Sequence, residues 1–591
     1  MDSLIEHIES LIGQGRYLEA HNETNEQLLI NPQDIRLKQF YALSMAKSGG
    51  LEEAESYLQP VWEQDKNDPE TAGILGGIYK GIFKKTQNTK FAFLSRDVYL
   101  ENFQLTGDYY TGINAATMSI LIGDTGKGKK IAAQVLEKLS AIDANLWTQA
   151  TKAEAYLLLK ERDEAVAHYT KTREMVGNNW GQVTSIYQQL WLINQYRHVP
   201  SDILNIFKPP AIAAFAGHMI DHPNRDGVRF PEAIAPQIAE AIAKKIKELN
   251  IKIGFCSLAC GADILFVEEM LKQGNEVNIS LPFNKDDFIK TSVTFPDPSW
   301  LERFEAILEN QSIKFITTEP YLDDNVLFAL QGKVIFGASI LRSSTFKENP
   351  YLLTVRSESD MQRAVGGTRA LFELWPYKES SVNINTDSFH SNYTEENLPG
   401  LVQEPQKPQT DKLDRKILCL LYADIVGYQD IDESKMPYFV HNVWGEIANN
   451  YDELLLPPKF INVWGGRIFS VFNSSRSAIE FALYLEKKVK GFDWKSEGLQ
   501  KEINLKLSLH IGPAYSGINP LTEQNNIYGS HMNRALEILN VTIPGTIYAS
   551  EQFASVLALE SPDYQYDHVG IVQLNENLGN QEIYKISQKE K

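Results

Sequence analysis

The sequence predicts a multidomain chain: an all-α repeat array, then an α/β domain with a doubly wound parallel sheet, then a smaller-stranded α+β domain. Three observations predict it. Helical periodicity with a repeat fills roughly the first 200 residues. Strands alternate with helices over residues 209–385. After a polar stretch, a hairpin and two further strand–helix alternations occupy residues 415–591. The length of 591 residues suits several domains, and 43% hydrophobic residues supply their cores. A formal charge of −19 argues against a nonspecific nucleic-acid or anionic-membrane surface, so neither partner is expected. The chain has three cysteines, Cys256, Cys260 and Cys419, all in apolar surroundings. That is too sparse for a disulfide framework and fits a reducing compartment. Cys256 and Cys260 have no His or third Cys beside them, so no zinc site is expected. The start, Met1-Asp2-Ser3-Leu4, lacks a basic-then-apolar leader, and no apolar run approaches the ~20 residues of a membrane span. A cytoplasmic protein is the expectation.

The array comes first, over residues 1–200. Gly15-Arg16-Tyr17-Leu18-Glu19-Ala20 is echoed by Gly50-Leu51-Glu52-Glu53-Ala54, which places Ala20 and Ala54 34 residues apart. Asn31-Pro32 and Asn67-Asp68-Pro69 follow at inter-repeat turns, and Glu161-Arg162-Asp163-Glu164-Ala165 opens a later unit. A period of 34, with a small residue where helices touch, is the tetratricopeptide signature. Residues 84–107 are expected to interrupt the period with a longer connection. The stretch Asp108-Tyr109-Tyr110-Thr111-Gly112-Ile113-Asn114 and the helices after it resemble the tetratricopeptide-type TRAF-binding region of apoptosis signal-regulating kinases. The resemblance implies docking either onto the next domain or onto a separate protein partner, the two being equally weighted.

Pro209-Pro210 ends the helical pattern. Strands at Ala211–Gly217, Lys252–Cys256, Val277–Phe283 and Leu352–Val355 then alternate with helices, as in a doubly wound parallel sheet. Ligands of such sheets sit beyond the carboxyl ends of the strands. The Gly217-His218 turn, Cys260-Gly261-Ala262-Asp263 and Val365-Gly366-Gly367-Thr368 resemble the SLOG superfamily, Rossmann-like sensors and hydrolases of nucleotides and their derivatives. The resemblance implies that Gly217, His218, Gly261, Asp263, Gly366, Gly367 and Thr368 line a cleft for a nucleotide or nucleotide-derived small molecule. Asp221, Arg225 and Arg229, in the loop after the first strand, are placed to reach a phosphate or ribose. The bland alternative is that the glycines only turn the chain and Asp263 only caps its helix. No nucleophile stands paired with a base at recognisable spacing, so binding is expected here rather than hydrolysis.

Residues 386–414, with Pro405-Gln406-Lys407-Pro408, are expected to form a flexible linker. In the last domain, Leu418-Cys419-Leu420-Leu421-Tyr422-Ala423-Asp424-Ile425-Val426-Gly427 reads as a buried strand that delivers one carboxylate to its tip. Asp424 there either meets a divalent cation or caps the following helix. Phe460–Phe472 reads as a hairpin turning at Gly465-Gly466, followed by a helix over 474–489 and a strand at Leu505–Gly512. This order resembles a class III adenylate/guanylate cyclase domain. The resemblance implies a ferredoxin-like α+β fold, a head-to-tail homodimer, and Mg or Mn ions that polarise a nucleoside triphosphate.

Position by position, Asp424, with the Ile425 carbonyl, stands at the first metal-ligand position. Asn462 and Ser530 stand at the two base-selecting positions, and Asn533 stands at the ribose-orienting catalytic position. The second metal Asp is replaced by Gly466, and the transition-state Arg by Glu537, with Arg534 nearby in a different helical phase. Losing one such electrostatic group typically lowers a rate by ~10²–10³. The resulting expectation is an intracellular signalling protein. It would couple a nucleotide-derivative sensor and a helical partner-binding array to a dimerising, catalytically impaired cyclase-like domain. The alternative is an active, divergent nucleotide cyclase that forms a cyclic nucleotide and pyrophosphate under control of the upstream domains.

Overall fold

The computed structural model describes residues 2–177, 179–222, 228–323, 325–358, 367–389, 413–449, 457–492, 504–574 and 580–589. The chain divides into two units. One is Met1–Pro209 with Asp567–Glu582 and Glu590–Lys591; the other is Pro210–Tyr566 with Ile583–Lys589.

The first unit is a run of helices that pack on their sequence neighbours, from Asp2–Gly13 through Tyr17–Ile30, Ile35–Lys47, Leu51–Gln64 and onward to Trp180–Tyr196. The repeat has a local cause. Asp34, Asp68, Asp108 and Asn145 each cap a helix by accepting from backbone N–H groups of its first turn. Ala20, Ala54 and Ala165 are fully buried where a larger side chain would hold the helices apart. The expected interruption at 84–107 is not there: Thr89–Thr106 is a continuous helix. Gln87, in the left-handed region, ends the preceding helix, and the Asn88 side chain caps the new one through Lys90 N at 3.0 Å. Its buried stripe mixes Ala92, Tyr99 and Phe103 with Ser95 and Asn102, which masks the apolar period. Gly76 is the reason Tyr99 fits, since a Cβ there would lie 2.6 Å from the ring's Cζ.

In the second unit, β1 (Ala211–Gly217), β2 (Ile251–Cys256), β3 (Glu276–Leu281), β4 (Ile313–Phe315), β5 (Tyr351–Arg356) and β6 (Ser381–Asn385) form one sheet in the order β4-β3-β2-β1-β5-β6. Every pairing in it is parallel. Strand order reverses at β1, which has β2 on one side and β5 on the other; that is the switch point where such sheets open a crevice. The apolar faces meet the helices Ala235–Glu248 and Ala262–Lys272, with Phe215 and Phe266 stacked 4.2 Å apart.

The second sheet contains β7 (Asp414–Val426), β8 (Phe460–Trp464), β9 (Arg467–Phe472), β10 (Asn504–Ile518), β11 (Asn525–Tyr528), β12 (Thr546–Ser550), β13 (Tyr564–Gln573) and β14 (Asn580–Gln588). Its order is β13-β14-β12-β10-β7-β9-β8, with β11 on β10. The period of two along β7 sorts its side chains. Cys419, Leu421, Ala423 and Ile425 join the core against the helices Ser475–Lys490 and Glu551–Glu560. Leu418, Leu420 and Tyr422 face the helix His531–Val541 on the other side.

One helix ties the two sheets together. Val326–Thr345 contributes Leu327 to the core of the first sheet and Leu330 and Val334 to that of the second. At 20 residues it is long and apolar enough to cross a membrane by length and composition, which the sequence reading did not anticipate, yet 67% of its apolar window is buried in protein. Gly337 lets it touch the helix Glu551–Glu560: a Cβ at this position would fall 1.8 Å from the Ser555 carbonyl oxygen.

Candidate functional site

Strand register builds the site. Asp424 on β7 lies directly opposite Arg467 on β9 and opposite Lys506 on β10. Cross-strand partners share a face, so the one carboxylate sits between two basic side chains. Arg467 Nη2 approaches Asp424 Oδ2 to 3.3 Å, with the two side chains 41% and 34% exposed. Burial pulls the Lys506 ammonium below its ordinary range, and Asp424 opposes that shift. These residues line a cavity of about 490 Å³ with the backbone of Ile425, Val426 and Gly427, together with Tyr428, Gln429, Trp464, Gly465 and Gly466.

The turn shows what surrounds Gly466, where the resemblance places a second acid. Gly465 adopts φ +57°, and Ile425 N donates to Gly466 O at 3.0 Å, which pins the hairpin tip beside the end of β7. A Cβ on Gly466 would lie 2.7 Å from both Cβ and Cγ of Tyr428. The direction in which a second carboxylate would project is therefore filled by an aromatic side chain, itself edge-on to Phe439 at 5.4 Å.

A pair of divalent cations does not fit these residues. Among the described residues Asp424 is the one carboxylate lining the cavity, and it is ion-paired. Among the described residues, no group of three or more His, Cys, Asp or Glu side chains gathers as a metal cluster. A single cation on Asp424 and the Ile425 carbonyl would compete with Arg467 for the same carboxylate.

The other cyclase-type positions lie outside this cavity. Asn462 is on β8, opposite Phe469. Asn533 is exposed on the helix His531–Val541, while Arg534, one residue on, is buried and donates from Nη1 to the Ile316 carbonyl at 2.9 Å. Ser530 Oγ donates to Glu319 Oε1 at 2.5 Å, and Glu319 Oε2 also meets Arg415 at 3.4 Å. Ser530 and Arg534 are thus held by the segment after β4, a contact that local sequence reasoning had no signal for. Arg467 and Lys506 were also missed. They were readable only from register, since each is an isolated basic residue in its own strand.

At the crevice of the first sheet, the structure brings Gly217, His218, Gly261 and Asp263 together. His218 N donates to Val355 O, Ala262 N to His218 O and Ile220 N to Cys260 O, which zips the turns after β1 and β2 together. Gly217 and Gly261 are both required by close packing: a Cβ would lie 2.2 Å from Ala262 Cβ or 2.7 Å from Ile220 N. Gly261 in addition holds φ +99°. Asp263 is buried and accepts from Ala259 N at 3.3 Å; burial pushes its carboxyl up to about 7. Asp221 Oδ2 accepts from the backbone of Arg229 and Phe230, both at 2.8 Å, so this carboxylate closes its own loop. Arg225 and Gly366 lie outside the described residues, and Gly367 and Thr368 open the helix Gly367–Leu374.

The chain thus combines a helical repeat array, a parallel-sheet domain and a second sheet domain that carries the one-acid pocket. Residues 412–588 match the family described as Adenylate and Guanylate cyclase catalytic domain, and residues 16–119 match Tetratricopeptide Repeats-Sensor. Solved structures similar to the chain include the adenylyl cyclase CyaB from P. aeruginosa, at 15% identity over 30% of this chain and 98% of that one, with a TM-score of 0.28. The guanylate cyclase domain of RhGC from Catenaria anguillulae in complex with GTP is 15% identical over 30% and 100%, with a TM-score of 0.26. The non-canonical dimeric guanylyl cyclase domain of the RhoGC fusion protein from Blastocladiella emersonii is 15% identical over 30% and 99%, also at 0.26. No curated protein matches the chain.

Proposed function

We propose that this chain is a cytoplasmic signalling protein in which the parallel-sheet domain senses a nucleotide-derived ligand. A catalytically impaired cyclase-type domain receives the signal as a nucleotide-binding and dimerising module. The helical repeats recruit a protein partner. The observation that carries this reading is the contact set joining the two sheet domains. Glu319 engages Ser530 and Arg415, the Ile316 carbonyl engages Arg534, and both domains share the helix Val326–Thr345. Ser530 occupies a base-selecting position, so a shift of the segment after β4 is felt at the cyclase-type helix without any linker having to transmit it. Impairment follows from charge: Arg467 occupies the Asp424 carboxylate, and Glu537 stands where catalysis wants a cation. Dimerisation is supported by the edge strand β8, which leaves Ile461, Val463 and Trp464 exposed.

The test incubates the full-length protein with each nucleoside triphosphate and Mg²⁺ or Mn²⁺, and follows cyclic nucleotide and pyrophosphate. No product is expected. Product that disappears in Asp424→Ala would overturn the impaired reading in favour of an active divergent cyclase.

A further inference from the structure

We propose that the Asp424 pocket is a phosphate-binding site that operates without a divalent cation, with Arg467 and Lys506 as its positive charges. The inference rests on the nucleotide-binding reading above and adds the ligand chemistry.

Register sets the charge. Asp424, Arg467 and Lys506 are cross-strand neighbours on one face, so two basic side chains accompany one acidic one, inside a chain of net charge −19. Asp424 orients the guanidinium rather than a metal, through one contact at 3.3 Å. Asp424 engages Arg467 through Nη2, and the guanidinium side chain remains 41% exposed at the cavity, although its Nε is buried. A guanidinium held through one nitrogen keeps other terminal N–H groups for phosphate oxygens, which its planar geometry suits. Lys506 donates no hydrogen bond among the described residues and lines the same cavity. Two cationic side chains thus flank the carboxylate where a two-metal site would require a second acid.

Sterics exclude that second acid. The Tyr428 side chain occupies the direction a Cβ on Gly466 would take, so restoring an Asp there does not by itself rebuild a metal site. The cavity of about 490 Å³ accommodates a nucleoside polyphosphate, and Trp464, 64% exposed, offers an aromatic face at its rim.

The test is isothermal titration of the full-length protein in EDTA with inorganic pyrophosphate, ATP and adenosine. Pyrophosphate and ATP should bind and adenosine should not, and added Mg²⁺ should leave the affinities within about twofold. Tighter binding of ATP than of pyrophosphate would assign the ligand as a nucleotide, whereas equal binding would assign the polyphosphate alone. Arg467→Ala and, separately, Lys506→Met should each weaken pyrophosphate binding by about tenfold or more with circular dichroism unchanged. Gly466→Asp should bring no Mn²⁺ binding detectable by electron paramagnetic resonance. Strict dependence on Mg²⁺, undiminished binding in both basic-residue variants, or no binding of either phosphate would each overturn the proposal. Mg²⁺-dependent binding without cyclic product would defeat this inference and leave the impaired-cyclase reading standing. Cyclic product would defeat that reading instead.

Discussion

Replacing Gly337 with alanine tests whether the helix Val326–Thr345 is a wall shared by two domains. The added Cβ would fall 1.8 Å from the Ser555 carbonyl oxygen, 2.3 Å from its carbon and 2.7 Å from Cα. A carbon–oxygen contact relaxes at about 3.3 Å, so the two helices must part by roughly 1.5 Å. The obstacle is backbone and cannot swing aside as a side chain would. Leu330 and Val334 on one helix and Phe553, Val556 and Leu557 on the other lie in one core cluster. A gap of even ~0.5–1 Å forfeits a quarter to a half of each dispersion contact across it. Overpacking of this kind destabilises by about 1–3 kcal/mol, and rigid backbone places this case near the top of that range. Alanine's helix preference over glycine returns up to ~1 kcal/mol, leaving a net loss of about 2 kcal/mol. Urea unfolding of the full-length protein would read this loss as a lower midpoint, and hydrogen exchange should quicken in 326–345 and 551–560. Gly126→Ala serves as the control, because nothing lies within 4 Å of a Cβ there and its helix should be unchanged or slightly firmer. A Gly337→Ala protein as stable as the parent would refute the close approach and the shared core built on it.

Two further outcomes are expected. Asp263 has a carboxyl raised from 3.8 to about 7 by burial. The folded state therefore holds a proton that the unfolded chain has lost, and stability falls as pH rises through that window. The advantage of Asp263→Asn over the parent should grow by at most about 1.4 kcal/mol per pH unit between roughly pH 4 and 7 and then level off; urea midpoints at pH 5, 6, 7 and 8 that move in parallel would contradict this. Glu319→Ala removes the acceptor for Ser530 and the partner of Arg415. With the Glu319 side chain 31% exposed, the loss should be roughly 1 kcal/mol, and a double-mutant cycle with Ser530→Ala should show coupling, zero coupling being the refuting result.

What was legible in the sequence followed from short-range pattern. The strand running to Asp424 and the Gly465-Gly466 turn carry their cause within a few residues, and the echo of Ala20 and Ala54 shows as a repeat at a fixed period of 34. The helix Thr89–Thr106 was missed because Ser95 and Asn102 occupy buried positions, so its stripe does not read as apolar. Strand β12 and the helix Glu551–Glu560 were passed over as well, although every residue of β12 is buried. The site suffered most. Asp424 could be read from its own strand, but Arg467 and Lys506 become its neighbours only through pairings that span more than forty and eighty positions of chain. The grip of Glu319 on Ser530 joins residues 211 positions apart, and no periodicity encodes it.

The residues around Asp424 are coupled by sterics and by charge. Tyr428 can lie against the hairpin only because position 466 has no side chain. With Tyr428 in place, a second acid has nowhere to project, and Asp424 is left as a lone carboxylate at a strand end. A lone buried-edge carboxylate is stabilised by a cation, and Arg467 supplies one from the residue immediately after the turn. Changing any one of the three therefore disturbs a neighbour. An acid at 466 meets Tyr428; a smaller residue at 428 exposes Phe439, which packs edge-on against it; and removal of Arg467 leaves Asp424 with Lys506 as its one remaining cross-strand cation. The proposed metal-free site rests on these contacts together: Asp424 meets Arg467 across the sheet, and Tyr428 fills the space beside Gly466.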